Sequence, residues 1–388
     1  MKLARRVQQI SPFYVMDILA RAKGLERQGK DVIHMEIGEP DFPTPPLVVE
    51  AAARFIRKAD VKYTPASGLP ELREAIAEHY LRKYGISVSP NRVLLTPGAS
   101  GALLLAFSLL LDVGDKVALA DPGYPCYQNV IRLLGGLPCP IAVDQLTGFQ
   151  LTPELLASHW GARMSGVVIA SPANPTGSVA GAEALAKLVK FVDTRGGFVI
   201  SDEIYHGLEY GQRAPSVLEF ASQAFVIGGF SKYFGMTGWR LGWLIVPADC
   251  AEAAESLAQN LFIAAPTISQ VAALAALSDD NRAELERRRA AFMARRDLLC
   301  DRLEALGFSA RARPAGAFYV YVDCSAFTDD SHRFALGLLS EAHVATTPGV
   351  DFGRHAAERF LRFSYTVAED KINEGLDRVN KFVYPLRQ

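Results

Sequence analysis

The chain has 388 residues, 49% of them hydrophobic and 21% charged, with a formal net charge of −1. That is ordinary globular composition, long enough for a large core and two domains. It carries no long block of one charge and no apolar run near membrane-spanning length, so neither nucleic-acid nor membrane partners are expected.

Five scattered cysteines, Cys126, Cys139, Cys250, Cys300 and Cys324, form no C-x-x-C pair. They fit reduced thiols in a cytoplasmic protein better than a disulfide framework. Near the start, Lys2, Arg5 and Arg6 are not followed by the apolar core and cleavage site of a secretory signal. In chain order, strands are predicted over 92–95, 116–120, 166–170, 197–201, 224–227 and 243–246. A buried helix is predicted over 103–111 and another helix over 182–192. Most of the strand runs are apolar throughout, as parallel strands covered on both faces should be. The alternation of strand and helix predicts an α/β domain with a mostly parallel sheet flanked by helices. A long charge-laced helix over 283–306 reads as a connector, with the triplet Arg287-Arg288-Arg289 on a solvated face. Beyond it come a strand over 317–322, a helix over 333–342 and a strand over 360–365, the pattern of a smaller α+β domain.

Two cations stand eight positions apart, Lys232 and Arg240, in the uncharged glycine-rich stretch Gly229-Phe230-Ser231-Lys232-Tyr233-Phe234-Gly235-Met236-Thr237-Gly238-Trp239-Arg240. A lysine that bonds covalently to an aldehyde cofactor, beside an arginine that holds its phosphate, would explain both; a surface loop lysine is the plainer reading. Desolvation and a neighbouring cation would lower the lysine's pKa and make it a nucleophile. Pyridoxal phosphate also needs a carboxylate for its pyridine nitrogen, donors for its phenolic oxygen and an anion site. Asp202 ends a predicted strand, where ligands of open α/β sheets lie; taken as a lone residue it reads more readily as a helix N-cap. Its neighbour Glu203 reads as structural. Tyr205 and Asn174 could donate to the phenolic oxygen, although Asn174 also suits the tight turn Ser171-Pro172-Ala173-Asn174-Pro175-Thr176-Gly177. Thr96-Pro97-Gly98-Ala99-Ser100-Gly101 runs into a helix over 102–111, so Ala99 and Ser100 could offer backbone N–H groups to a phosphate. No G-x-G-x-x-G follows a strand and no P-loop motif occurs, which argues against a dinucleotide fold. Tyr124 could stack on a cofactor ring or be a buried aromatic. Arg362 is a lone cation in an apolar strand and needs an anion, either a substrate carboxylate or an internal partner. The histidines form no metal-ligand pattern.

These segments, with Gly38-Glu39-Pro40-Asp41-Phe42, Tyr63-Thr64-Pro65-Ala66-Ser67-Gly68, Gly316-Ala317-Phe318-Tyr319 and Arg362-Phe363-Ser364-Tyr365, make the chain resemble the class I/II aminotransferases of pyridoxal-phosphate fold type I. The bacterial aspartate, alanine and aromatic aminotransferase-like subgroup is the nearest match. The resemblance implies a large cofactor-binding domain over 46–285. The smaller domain would be built from 286–388, joined by the N-terminal segment 1–45. It implies that Lys232 bonds the cofactor's aldehyde, Asp202 pairs with the pyridine nitrogen, and Asn174 and Tyr205 donate to the phenolic oxygen. Arg240, Ser231 and the backbone of Ala99 and Ser100 would cradle the phosphate, and Tyr124 would stack on the ring. Arg362, helped by Asn174, Tyr124 and the Gly38 backbone, would hold the substrate's α-carboxylate. Tyr63 would reach the partner subunit's cofactor in a homodimer.

Two positions depart from the pattern. Gly229 stands where many relatives carry a phosphate-binding serine, and Ser100 where some aspartate-specific relatives carry a lysine. The reaction implied is ping-pong transfer of an amino group from an L-amino acid to a 2-oxo acid, with a β-eliminating C–S lyase as the alternative on the same scaffold. A regulator with an added DNA-binding domain and a nicotinamide dehydrogenase fit less well. Phe13, Tyr14, Ile37, Phe262 and Ile263 are pocket candidates that would favour neutral or aromatic substrates, or else ordinary core residues.

Overall fold

A computed structural model describes residues 2–310 and 313–387 of the chain. It begins with α1 (Tyr14–Arg27), the short strand β1 (Ile33–His34), α2 (Pro46–Ile56) and α3 (Pro70–Tyr84). The middle runs β2 (Val93–Pro97), α4 (Gly98–Leu110), β3 (Lys116–Asp121), α5 (Pro125–Leu133), β4 (Leu137–Ala142), α6 (Pro153–His159), β5 (Met164–Ala170), α7 (Ala182–Asp193), β6 (Phe198–Asp202), β7 (Phe225–Gly229) and β8 (Leu241–Ile245). Three helices, α8 (Ala251–Phe262), α9 (Thr267–Ala276) and α10 (Asp279–Ala305), lead to β9 (Tyr319–Asp323), α11 (Ser331–Glu341), β10 (Val344–Ala345), β11 (Thr347–Pro348), β12 (Phe360–Ser364) and α12 (Glu369–Val383). Proline opens α2, α3, α5 and α6, where its missing N–H is no loss.

The seven-stranded sheet has the order β2-β8-β7-β6-β5-β3-β4. Its strands are parallel except β8, which runs against both β2 and β7. Both faces are covered, and successive residues enter opposite cores. Val93, Leu95, Val167, Ile169, Val199, Val226 and Ile245 join one cluster. Leu94, Val168, Ile200, Ile227 and Leu244 join the other, with α4, α5 and α8. Burial on both faces is why these strands are apolar at every position. The six expected strands are present within a few residues.

β4 is the seventh, and it lies at an edge beside β3. Its Pro138 and Pro140 are two residues apart, so both rings occupy the side that needs no ladder N–H. A third cluster gathers Ile18 and Ala22 of α1 with Phe292 and Leu299 of α10, Phe318 and Val320 of β9, Phe363 of β12 and Leu376 of α12. The parallel pairing of β1 with β10 ties the N-terminal segment to this C-terminal part.

The solvated face expected for Arg287-Arg288-Arg289 is only partly solvated. Arg288 and Arg295, seven residues apart on one side of α10, are buried. Arg288 Nη1 donates to Pro43 O at 2.7 Å, and Arg295 Nη1 donates to Asp41 Oδ1 at 2.7 Å. Both guanidinium groups face the Phe42 ring, at 5.3 and 4.9 Å from its centre. The segment before α2 thus covers cations that a charge pattern alone assigns to water.

Candidate active site

Connections at the carboxyl ends of the parallel strands converge on one cavity of about 390 Å³. The turn from β2 into α4 supplies Ala99 and Ser100, the segment after β3 supplies Tyr124, and the turn after β5 supplies Asn174. β6 ends in Asp202, with Tyr205 three residues on. The loop from β7 to β8 supplies Ser231, Lys232 and Arg240. β9 and β12 contribute Tyr319 and Arg362, and Gly38 and Ile37 close one side. Every proposed cofactor and substrate residue lines this cavity except Tyr63, which is 81% exposed elsewhere on the chain. Of the five pocket candidates, Phe13 and Ile37 line it; Tyr14, Phe262 and Ile263 do not. Val15, Met16 and Cys126 line it unanticipated.

Lys232 Nζ donates to Gly38 O at 2.7 Å. Burial pulls its ammonium down to about 8, with Glu39 and Asp202 opposing and the charges of Arg362 and Arg240 assisting. Asp202 accepts from the Tyr127 hydroxyl at 2.6 Å on Oδ2 and from the Ile204 N–H at 3.1 Å on Oδ1. Burial pushes this carboxyl up, against the downward pull of those two donors and of Lys232. Burial also holds the Tyr205 and Tyr124 hydroxyls well above the ordinary phenol range, so both stay protonated donors.

At the other end, Arg240 sits in the left-handed region (φ 53°) and donates to Thr237 O at 3.2 Å. Its guanidinium lies so close to the first residue of α4 that a Cβ on Gly98 would stand 2.5 Å from Nη2. The arginine and the free N–H groups of that helix start therefore point at the same space, a geometry suited to an anion. Gly229, the departure noted above, is flanked by Ile204: a Cβ there would stand 2.8 Å from Ile204 Cδ1.

Arg362 is 4% exposed, and its polar partners are neutral. It donates to Asn174 Oδ1 at 2.8 Å, to Glu36 O and to Thr347 Oγ1 at 3.2 Å, while its buried Nε has no partner. The internal ion pair that could have explained this residue is not among them. Two aromatic residues escaped the sequence reading as site members. Tyr127 sits on the first turn of α5, where no motif or spacing marks it; Tyr319 lay inside a quoted motif, but nothing in its spacing announced a polar task. Among the described residues there is no His/Cys/Asp/Glu group able to hold a metal and no helix long and apolar enough to cross a membrane.

An α/β sheet whose strand ends bring a depressed lysine, a buried aspartate and two arginines to one cavity has the makings of an enzyme site for an anionic, carbonyl-bearing ligand. The family described as aminotransferase class I and II matches residues 30–379. A valine–pyruvate aminotransferase of Mycobacterium tuberculosis is 41% identical over 377 residues, covering 96% of this chain and 97% of that protein. The crystal structure of an aminotransferase from Mycobacterium tuberculosis superposes with a TM-score of 0.96 at 41% identity, covering 99% of this chain and 100% of the other. The aspartate aminotransferase of Thermus thermophilus with maleate gives 0.94 at 38% identity, covering 98% and 100%.

The chain belongs to the aminotransferase class I and II family and is a pyridoxal-phosphate-dependent aminotransferase of fold type I. These comparisons lend no support to the lyase alternative. The residues present fit the cofactor: a lysine for its aldehyde, a carboxylate with spare lone pairs for its ring nitrogen, and an arginine with a helix start for its phosphate.

Proposed function

We propose that this enzyme moves the amino group of an L-amino acid with an uncharged, apolar side chain to a 2-oxo acid by a ping-pong mechanism. It would act as a cytoplasmic homodimer in which Tyr63 completes the partner's site. One observation carries the assignment of roles: Lys232, its ammonium drawn down to about 8, faces a cavity that also holds Asp202, Arg240 and Arg362.

Bound pyridoxal phosphate supplies an aldehyde that bonds amines and a ring that accepts the electron pair released at the substrate's α-carbon. Asp202 receives the ring nitrogen's N–H, and Tyr205 and Asn174 donate to the phenolic oxygen. Asn174 can do this because its Oδ1 is engaged by Arg362, which leaves Nδ2 free to point elsewhere. Arg240, Ser231 and the N–H groups of Ala99 and Ser100 hold the phosphate, and Tyr124 covers the ring. Arg362 grips the α-carboxylate with paired N–H groups and so fixes the direction of the Cα–H bond. Lys232 Nζ, freed once the substrate's amine has replaced it at the aldehyde, would then take the α-proton and later return it. An amine that is partly deprotonated near neutral pH serves as both base and acid.

The charged residues lining the cavity, Asp202, Lys232, Arg240 and Arg362, all have tasks in this scheme. What remains for the side chain is a wall of Phe13, Val15, Met16 and Ile37, which favours a neutral apolar donor; the name of the 41% identical relative agrees. The third core cluster is built mostly from residues of 1–45 and 286–388, which supports a smaller domain formed by those segments, and Tyr205, Leu208 and Tyr210 join it from the large domain over 46–285. The five free cysteines suit a reducing compartment.

A panel of amino acids mixed with the holoenzyme in single turnover tests the proposal. Apolar donors should bleach the cofactor's visible band and release their 2-oxo acids, and charged donors should do so at least tenfold more slowly. Equal rates with aspartate would overturn the substrate class. Lys232→Ala should lose turnover and the covalent cofactor band together; a variant that still turns over would end the assignment of this lysine.

A further inference from the structure

Tyr319 touches three parts of the site at once. Its hydroxyl lies 2.9 Å from the hydroxyl of Tyr205. Its ring centre lies 4.2 Å from the guanidinium carbon of Arg362, with the Phe352 ring at 4.7 Å from the same carbon. The hydroxyl also crowds Gly38, where even a Cβ would overlap it. The cause is strand register. Arg362 on β12 pairs with Tyr321 on β9, and Ser364 pairs with Tyr319, so Tyr319 and Arg362 are diagonal neighbours on one face of an antiparallel pair. The hydrogen-bond partners of Arg362 are all neutral and its Nε has none, so the two aromatic rings add to those hydrogen bonds in holding the planar cation in place.

We propose that Tyr319 is a positioning residue with two separable tasks, its ring steadying Arg362 for the substrate's carboxylate and its hydroxyl aiming the Tyr205 hydroxyl at the cofactor. The proposal rests on the roles given to Tyr205 and Arg362 above. When the Tyr319 hydroxyl donates to Tyr205 oxygen, the Tyr205 proton is left for the cofactor's phenolic oxygen, and chained hydrogen bonds strengthen one another. Without that donor, the phenolic oxygen is less well stabilised as an anion and holds its linked proton to higher pH. The two tasks therefore report through different measurements, which a merely structural tyrosine would not separate.

The test uses purified holoenzyme of Tyr319→Phe and Tyr319→Leu. Tyr319→Phe keeps the ring. It should leave KM for the amino donor within about twofold, while the pH midpoint of the cofactor's visible absorbance, read without substrate, rises by about half a unit. Tyr319→Leu removes the ring as well and should also raise KM about tenfold. An unmoved midpoint in Tyr319→Phe, or KM raised equally in both variants, would overturn the proposal. Tyr319→Phe is nearly isosteric, so the midpoint remains readable even if the leucine variant fails to fold. Two controls isolate the underlying reading. Tyr205→Phe should itself move the midpoint, with no further shift on adding Tyr319→Phe, and Arg362→Lys should itself raise KM. If these controls show no effect, the roles of Tyr205 and Arg362 fail; if they respond and the Tyr319 variants do not, only the coupling fails.

Discussion

Asp202 is a carboxylate in a place that disfavours its charge, and one side chain restores the balance. Burial raises its pKa, and the largest opposing influence is the hydrogen bond from Tyr127. With the Tyr127 hydroxyl removed, Asp202 keeps only the Ile204 N–H as a donor and binds its proton more tightly. A carboxyl that keeps its proton is a weaker partner for a protonated ring nitrogen. We expect Tyr127→Phe to lower kcat/KM by about tenfold, the equivalent of ~1.5 kcal/mol for a hydrogen bond to a charged group. Titration of the apoenzyme with pyridoxal phosphate should show weaker binding by a similar factor. Unchanged cofactor affinity would mean that Tyr127 only packs against Tyr124, whose ring it meets edge-on at 5.5 Å.

The end of β6 shows the same physics at the level of an element. Consecutive carboxylates leave the strand toward different surroundings: Asp202 enters the cavity, while Glu203 turns away toward Ser216, His206 and Lys83. Glu203 Oε1 accepts from Ser201 Oγ, Ser216 Oγ and the Val217 N–H, but its Oε2 has no hydrogen-bond partner. Burial lifts this carboxyl from 4.5 to about 7, despite those donors and the Lys83 charge. The folded state then binds a proton that the unfolded chain has released, so Glu203 costs stability as pH rises from about 4.5 to 7, and the cost persists above. Glu203→Gln retains an acceptor and removes the titration. Its stability relative to the parent enzyme should increase across that window, by at most about 3 kcal/mol, in urea melts at pH 5 and pH 8. A difference that is flat with pH would show that Glu203 stays charged.

How legible such details are depends on what burial does to a pattern. Strands covered on two faces are apolar at every position, so β5 through β8 could be read from the chain directly. β4 could not: prolines at 138 and 140 argue against a strand unless one knows that it is an edge. Asp202 and Asn174, which alone also suit a helix cap and a tight turn, were singled out by the surrounding motifs, whereas Lys232 and Arg362 stood out as cations in uncharged surroundings. Tyr127 and Tyr319 did not, because a tyrosine in a core is unremarkable until the partner of its hydroxyl is known. The burial of Arg288 and Arg295 was likewise hidden, since the carbonyl and carboxylate that receive them lie more than two hundred residues away.

At the scale of the whole molecule, the site described within one chain leaves one predicted participant outside. Tyr63 is 81% exposed, and close to it in sequence Val61 and, on α2, Val49 and Ile56 are exposed apolar residues as well. Exposed apolar side chains and an unused tyrosine are what an interface between copies would bury. If Tyr63 completes the partner's phosphate site, damage at Lys232 of one chain and damage at Tyr63 of the other fall in the same active site of a mixed dimer and leave the second site intact. Lys232→Ala and Tyr63→Ala homodimers should each be impaired, the first without activity and the second weakened in cofactor binding. Denatured together and refolded at equal amounts, they should form mixed dimers containing one intact site, assembled from the lysine of one chain and the tyrosine of the other. Random pairing places that intact site in half of the dimers, so activity should recover to roughly a quarter of the parent value for a two-fold symmetric pair. Recovery no greater than the average of the two separate preparations would show that each chain completes its own site, and Tyr63 would lose its proposed role.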